Sequence, residues 1–292
     1  MSNQPLTLSL EDEIALPIQH TIFTFLTNLL QADTSASADS TASALDQLHP
    51  DKHAEEDSGL DKQSAADFIY SFWEPFHTIA RQIPHDHVAM DKLVAVIKAL
   101  KDLPPRQVHV EGWGDYTLWK DLPLFGETFS TAYNQDRNNP TLDATVLNAR
   151  NLNFQSYAAR LMSLGVELDR YCITALYSTL EGRYDEGKGS LRQIITDPAA
   201  TPNVDHQIAV VAEWFKYAGA TFYLKGAVIG GSLHGPLSKG PGKNEFSAER
   251  WQLWKERLGE FAGCGGLKEC TRQLAGEIIV MMEKVETDKG GR

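Results

Sequence analysis

Glu213 is a carboxylate placed where a helix is expected to be buried. The predicted helix from Val204 to Lys225 is apolar almost all round, which indicates a central helix. A carboxylate removed from water has a raised pKa when it is unpaired, and such a group suits general acid–base catalysis. A salt bridge to an arginine would instead make Glu213 structural. Glu213 is therefore the candidate catalytic residue, with the ion pair as the alternative.

Arg150 is the second candidate, because helical periodicity places it beside an apolar stripe. In the predicted helix from Asp143 to Leu164, Arg150 and Tyr157 flank the apolar arc, and Asn153 and Arg160 follow about one turn round. An inward guanidinium must be paired, and it suits a ligand carboxylate or phosphate. A structural ion pair is the alternative. Acids considered as its partner are Glu167, Asp121 and Glu213.

The run from Glu111 to Gly126 is rich in aromatic residues but is broken by glycine, aspartate and proline. So much ring area is not left in water, and the run predicts either a pocket wall or a docking patch for a protein partner through Trp113 and Trp119. With the Arg150 and Glu213 helices it would form a pocket for a small acid or amide. The predicted ligand-binding residues are Trp119, Asp121, Arg150, Asn153, Tyr157, Arg160, Trp214 and Tyr217.

Other motifs do not complete a known site. Glu74 and His77 form E-x-x-H, but a di-metal bundle needs this motif twice, so no metal site is predicted and solvated or capping roles are expected. The Gly-rich segment from Ile229 to Lys243 does not fit a phosphate-binding loop. It is predicted to be an exposed connector, with a flexible lid as the alternative. No cofactor is predicted.

Helical periodicity dominates the chain, and the alternating βα pattern of a nucleotide-binding sheet is absent. The predicted class is all-α, a single multi-helix domain with irregular Trp-rich and Gly-rich connections. Residues 1–31 are expected to hold a helix that packs on the body, 32–63 a disordered low-complexity insert, 64–286 the helical domain and 287–292 a flexible tail. The remaining predicted helices are Leu16–Gln31, Ala65–Gln82, His87–Leu103, Glu127–Gln135, Glu167–Tyr184, Ser247–Phe261 and Leu267–Val285, with an extended piece at Val108–Val110.

The composition restricts the partners. The formal charge of −12 disfavours binding to nucleic-acid phosphates or anionic lipid. No apolar stretch reaches the roughly 18 residues that favour a membrane span. The three cysteines and the absence of a secretory n-region and h-region predict a cytoplasmic protein.

Four segments carry a family resemblance. They are LWKDLPLFG at Leu118–Gly126, NARNLNFQSYAARL at Asn148–Leu161, AEWFKYAG at Ala212–Gly219 and FSAERWQLWKERL at Phe246–Leu258. Over roughly Ser64 to Val285 the chain resembles a fungal family of unknown function typified by an oxopyrrolidine biosynthesis cluster protein G. The resemblance implies an all-helical intracellular protein, sometimes encoded beside natural-product enzymes. A more distant similarity is to the arginine-containing cyclodipeptide synthases, which use aminoacyl-tRNA, although their D-D-x-x-E motif is absent here.

These observations predict an accessory factor associated with fungal secondary-metabolite biosynthesis, with a small-molecule pocket. One alternative is an aminoacyl-tRNA-dependent enzyme similar to the arginine-containing cyclodipeptide synthases, for which tRNA would be the nucleic-acid partner. The other is a helical protein–protein interaction module. Solvent exposure of Trp119 separates the pocket from the docking patch, and the sequence leaves open whether the protein is an enzyme.

Overall fold

The computed structural model describes residues 5–12, 14–31, 34–52, 64–136, 141–185, 193–226, 230–240 and 244–290. The predicted all-α class is confirmed, since helices dominate these residues and their strands form two short antiparallel pairs. Contacts group the chain into two compact units, residues 1–157 and 158–292. No helix within the described ranges is long and apolar enough to cross a membrane.

The first unit is built around its third helix. Its elements are α1 (Pro17–Leu30), α2 (Ala38–Asp46), α3 (Ala65–Gln82), α4 (Val88–Lys101), β1 (Gln107–Val110), β2 (Gly114–Thr117), α5 (Phe125–Gln135) and the first part of α6 (Ala144–Ser163). Helix α3 packs against α1, α5 and β1. Helix α2 packs mainly on α4.

Helix α3 has the bounds that the sequence predicts. Ser64 caps its start, because its Oγ accepts a hydrogen bond of 3.1 Å from the Asp67 amide. The chain leaves the helix at Ile83, the residue before Pro84, where the proline ring disfavours helical backbone. Because α1, α5 and β1 surround α3, the helix buries side chains on more than one face, including Phe72, Trp73 and His77.

The insert at 32–63 was predicted to be disordered, but its residues 38–46 form α2. Ser37 caps this helix and accepts from the Ser40 amide. Ala42 and Leu45 lie three residues apart and are fully buried, so they share the face that packs on α4. Residues 32, 33 and 53–63 lie outside the described residues.

The second unit contains α7 (Asp169–Leu180), β3 (Arg183–Tyr184), β4 (Ile194–Ile195), α8 (Val204–Phe222), α9 (Ala248–Gly263) and α10 (Glu269–Gly290). Helix α8 packs against α7 and α10, and α9 packs on α10. The tail was predicted to be flexible from residue 287, but α10 continues to residue 290. Residues 291 and 292 lie outside the described residues.

Candidate functional site

A cavity of about 280 Å³ lies in the first unit, bounded by the N-terminal segment, α1, α3 and α5. Its lining includes the acidic side chains of Glu11, Asp12 and Glu74 and the basic side chains of His77 and Arg81. The last three follow one another on α3 at spacings of three and four residues, which puts them in a row along one helix face. This cavity is the candidate functional site.

Glu74 is held by a neighbouring amide. Gln19 Oε1 accepts a hydrogen bond of 2.6 Å from the Leu16 amide, and this bond turns the Gln19 Nε2 donor toward Glu74 Oε2. Burial raises the pKa of Glu74, and the nearby Asp12 carboxylate raises it further, while the Gln19 hydrogen bond acts in the opposite direction. Glu74 is thus a partly desolvated carboxyl group at the cavity surface.

His77 carries a buried hydrogen-bond acceptor beside the cavity. The Thr128 hydroxyl lies 3.0 Å from the Leu124 carbonyl oxygen, to which it donates, and it lies 3.1 Å from His77 Nε2. A hydroxyl has one proton, so we assign the remaining proton of this pair to His77 Nε2. Nδ1 then carries a lone pair, and it has no hydrogen-bond partner among the described residues. Burial, and then the charge of Arg81, lowers the pKa of His77 to about 3, so the ring is neutral.

Arg81 lies at the far end of the row, and its charge is matched within a network. Its Nη1 donates to Gln135 Oε1 at 2.7 Å and to the Ala132 carbonyl at 3.2 Å, and its Nη2 lies 3.9 Å from Glu11 Oε2. Burial lowers the pKa of Arg81 without making the guanidinium neutral at physiological pH. The network continues to Arg150.

Arg150 points inward and is paired, as its position in the sequence requires, but its partners differ from those considered. Nη1 and Nη2 donate to the two carboxylate oxygens of Glu11 at 2.6 and 2.7 Å, and Nε donates to Asp136 Oδ2 at 2.8 Å. These bonds, led by the one to Glu11, raise the pKa of Arg150. The expected acids Glu167, Asp121 and Glu213 are replaced because Glu11, 139 residues away, packs over α6.

Two further predicted residues lie behind the cavity. Asn153 Nδ2 donates to the Arg81 carbonyl at 3.0 Å. The Tyr157 ring is fully buried, with its centroid 6.1 Å from that of His77. Arg150, Asn153 and Tyr157 therefore support Glu11, Arg81 and His77 without lining the cavity.

Trp119 is part of the core, contrary to the alternative that it belongs to an exposed docking patch. Its side chain is 2 % exposed, its ring centroid lies 4.4 Å from that of Phe72, and its Nε1 donates to Asp46 Oδ1 at 2.6 Å. Trp113 is 51 % exposed. Asp121 accepts from the Thr117 amide at 2.6 Å and so closes a turn. The predicted partner surface thus retains only Trp113 of its two tryptophans.

The remaining predicted residues meet in the second unit. Arg160 Nη1 lies 3.8 Å from Glu213 Oε2, and its guanidinium stacks 3.7 Å above the Tyr217 ring. Lys216 Nζ lies 3.9 Å from the other Glu213 oxygen, and Trp214 is fully buried. Glu213 is therefore in the ion pair named as the alternative to catalysis, and its catalytic role stays a prediction.

Comparison with known proteins assigns the chain to a family. A family model described as a protein of unknown function (DUF3632) matches residues 73–258, which is more than half of the chain. The chain belongs to this family. One curated relative is the oxopyrrolidines biosynthesis cluster protein G of Penicillium oxalicum (strain 114-2 / CGMCC 5302). It is 24% identical over 239 residues, which cover 71% of this chain and 63% of the relative, so the match spans less than two thirds of that protein's length. No solved structure gives a significant match.

The family resemblance seen in the sequence is thereby confirmed. The DUF3632 match includes Glu74, His77 and Arg81 of the cavity. It does not include Glu11 and Asp12, which precede it in the chain.

The DUF3632 match also includes a buried ion pair that periodicity did not reveal. Glu181 is fully buried, and its Oε1 accepts from Arg250 Nε and from Trp254 Nε1, both at 2.8 Å. Its Oε2 accepts from the Gly235 amide at 2.7 Å. A side-chain carbon built on Gly235 would lie 2.6 Å from Glu181 Cβ, so the backbone approaches here as only glycine allows. Arg250 Nη2 also donates to the Leu233 carbonyl at 3.1 Å.

These bonds change the interpretation of the Gly-rich segment. Its described part, residues 230–240, was predicted to be an exposed connector or a flexible lid. Gly235 and Leu237 are instead hydrogen-bonded to Glu181, and Leu233 and Ser238 are buried. Arg250 and Trp254 lie on α9, whereas Glu181 lies at the end of α7, 69 residues before Arg250, so no local pattern predicts this contact.

His77 gives this DUF3632 protein a measurable sensitivity to acid. The unfolded chain binds a proton at His77 below its ordinary pKa of 6.5, whereas the folded ring stays neutral down to about 3, so stability falls as the pH drops through this interval. Between about pH 7.5 and about pH 5 the loss due to His77 is expected to be about 2 kcal/mol. Urea unfolding of the protein and of His77→Gln at both pH values measures it. The loss of stability between the two pH values should shrink in His77→Gln but persist in His109→Gln, which alters an exposed histidine. Equal losses in the two variants would contradict the assignment of this acid sensitivity to His77.

Proposed function

We propose that this DUF3632 protein is a cytoplasmic accessory factor of fungal secondary-metabolite biosynthesis, and that it binds a small molecule in the cavity between α1, α3 and α5. The cavity carries the proposal. Its volume lies close to the lower end of the range of about 300–1,000 Å³ for ligand pockets. Its polar groups converge from two helices and the N-terminal segment, which is the arrangement that orients a ligand.

The pathway part of the proposal is supported by the relative from Penicillium oxalicum, which is named for a biosynthesis cluster. The cytoplasmic part is supported by the cysteines, since Cys172, Cys264 and Cys270 are all free. No specific observation of the described residues favours the tRNA-dependent enzyme or the interaction module. One function is therefore proposed.

Ligand retention from a fungal extract tests the proposal. The full chain is incubated with the small-molecule extract of a fungus that encodes it, separated from free metabolites, and denatured for mass spectrometry. A few metabolites are expected to be enriched on the protein. Thr131→Trp, at the cavity on α5, should abolish their retention, because the indole fills space that the ligand needs.

Ser130→Trp is the matched control. Ser130 precedes Thr131 on α5 and is exposed, but it does not line the cavity. It should retain the same metabolites as the unaltered protein. Retention of nothing by the unaltered protein, or the same retention by all three proteins, would overturn the proposal.

A further inference from the structure

The N-terminal segment, residues 5–12, forms one side of the cavity without being part of a helix or a strand. Its residues Leu10, Glu11 and Asp12 line the cavity. Among the described residues, no backbone–backbone hydrogen bond joins this segment to the rest of the protein. Segments with so few backbone bonds open locally at a small cost in free energy, well before the protein unfolds.

Side chains of the body hold the segment at Ser9 and at Glu11. The Ser9 amide donates to Gln82 Oε1 at 2.9 Å, and the Ser9 carbonyl accepts from Gln82 Nε2 at 2.7 Å, so one side chain at the end of α3 makes both bonds. Glu11 accepts from both Nη groups of Arg150, as described above. Each attachment depends on a single side chain of the body, so one substitution is enough to release it.

Glu11 also has a strained backbone. Its φ is 60°, in the left-handed region, where the Cβ atom of a residue other than glycine crowds the following carbonyl oxygen. Such a conformation persists only where the surrounding contacts impose it, and it is frequent at ligand clamps and switch regions. Here the two bonds from Arg150 fix the Glu11 side chain over α6 and hold the strained backbone in place. Loss of these bonds would let the backbone relax.

Arg150 does not need Glu11 in order to stay paired. Its Nε and Nη2 also donate to Asp136, at 2.8 and 3.2 Å. Asp136 directly follows α5, so it stays beside Arg150 when the N-terminal segment moves away. Arg81 likewise keeps its hydrogen bonds to α5. Release of Glu11 therefore leaves neither cation of the network without a polar partner, and the body can stay folded while the segment opens.

From these observations, and resting on the proposed function, we infer that residues 5–12 are a gate for the ligand cavity and that the Glu11–Arg150 pair is the latch of this gate. The contacts with Arg150 and Gln82 favour the closed form, whereas the strain at Glu11 favours the open form. The ligand enters and leaves while the latch is open, and the segment closes over it afterwards. The gate thus determines how fast the cavity exchanges its ligand.

A thiol placed in the cavity reports the opening of the gate. Ala132 lines the cavity on α5 and is 7 % exposed, so Ala132→Cys puts a thiol where the closed gate shields it. Its reaction with iodoacetamide is followed by mass spectrometry of the full chain. Cys270 is an exposed reference, and Cys172 is a fully buried one in the second unit. The thiol at position 132 is expected to react at least about tenfold more slowly than Cys270, because the open form is a minor state.

Glu11→Ala, added to this background, should speed the reaction at position 132 by about fivefold or more, because it removes the latch but keeps a residue that disfavours left-handed backbone. Glu11→Gly removes the latch and relieves the strain as well, so its reaction should be about threefold or more slower than that of Glu11→Ala. Glu127→Ala is the control. It makes the same charge change at an exposed position of α5 outside the cavity, and it should leave the rate unchanged. Cys172 should stay unreacted in every variant.

The outcomes separate this inference from the proposed function. If Glu11→Ala and Glu127→Ala react at the same rate, or if the thiol at position 132 reacts as fast as Cys270 without either change, the gate is wrong, while retention from the extract still decides whether the cavity is a ligand site. Equal rates in Glu11→Ala and Glu11→Gly would overturn the role of the strain. If Glu11→Ala alone speeds the reaction but nothing is retained from the extract, the segment gates the cavity and the proposed function is wrong.

Discussion

Arg250→Leu is expected to lower the free energy of unfolding by about 3–5 kcal/mol, because it leaves a buried carboxylate without its cation. Glu181 is fully buried, and after the change only the Trp254 and Gly235 N–H groups would solvate its charge. The Leu233 carbonyl would lose its donor as well. Urea unfolding followed by circular dichroism measures the loss.

A double variant distinguishes a charge effect from lost packing. Glu181→Gln with Arg250→Leu removes both charges, and the amide oxygen can still accept from Trp254 or Gly235. Removing both members of a buried pair costs less than removing one, so the double variant should be more stable than Arg250→Leu alone. Arg272→Leu supplies the same substitution at an exposed ion pair with Glu269 and should cost at most about 1 kcal/mol. Equal losses in Arg250→Leu and Arg272→Leu would show that the buried pair has no special weight.

Trp119→Ala is expected to cost about 3–5 kcal/mol, as for other buried aromatic residues truncated to alanine. The indole packs against Phe72 and Trp73. Its Nε1–H donates the shortest of the hydrogen bonds that Asp46 accepts. Trp119→Phe keeps most of the ring but leaves Asp46 without this donor, so a loss of about 1–3 kcal/mol is expected. Thermal and urea unfolding of the full chain give both values.

Trp113 provides the matched control, because it is a tryptophan in the same run but is half exposed. Trp113→Ala should change stability by at most about 0.5 kcal/mol. If Trp119→Ala and Trp113→Ala lowered the free energy of unfolding by equally small amounts, Trp119 would not be a core residue. A loss of ligand retention in Trp119→Ala without a loss of stability would favour the binding role that the sequence suggested for it.

Local signals in the sequence were sufficient for most helices. Ser64 and Pro84 define α3 because a cap and a proline act on the residues next to them. Strand β1 was expected because apolar and polar residues alternate along it. Its partner β2 was not expected, since Gly114 and Asp115 disfavour strands. The pairing instead depends on a turn in which Gly112 has a φ of 79° and the Trp113 amide donates to Val110.

The site was harder to predict, because its residues are joined by contacts distant in the sequence. The E-x-x-H pair drew attention to Glu74 and His77, yet solvated or capping roles were expected for them. His77 is buried because α5 covers it, and no local pattern shows that. The inward position of Arg150 followed from helical periodicity, whereas its partner Glu11 lies in a segment without any repeating pattern.

One part of the cavity lining lies inside the matched family region, and another part precedes that region in the chain. Glu74, His77 and Arg81 lie within residues 73–258, whereas the N-terminal segment and α1 precede them. Sequence changes within residues 5–30 can therefore alter the N-terminal boundary of the cavity while Glu74, His77 and Arg81 stay the same. For the proposed ligand site, this places one part of the cavity boundary in residues 5–30 and the row of Glu74, His77 and Arg81 in the region that defines the family.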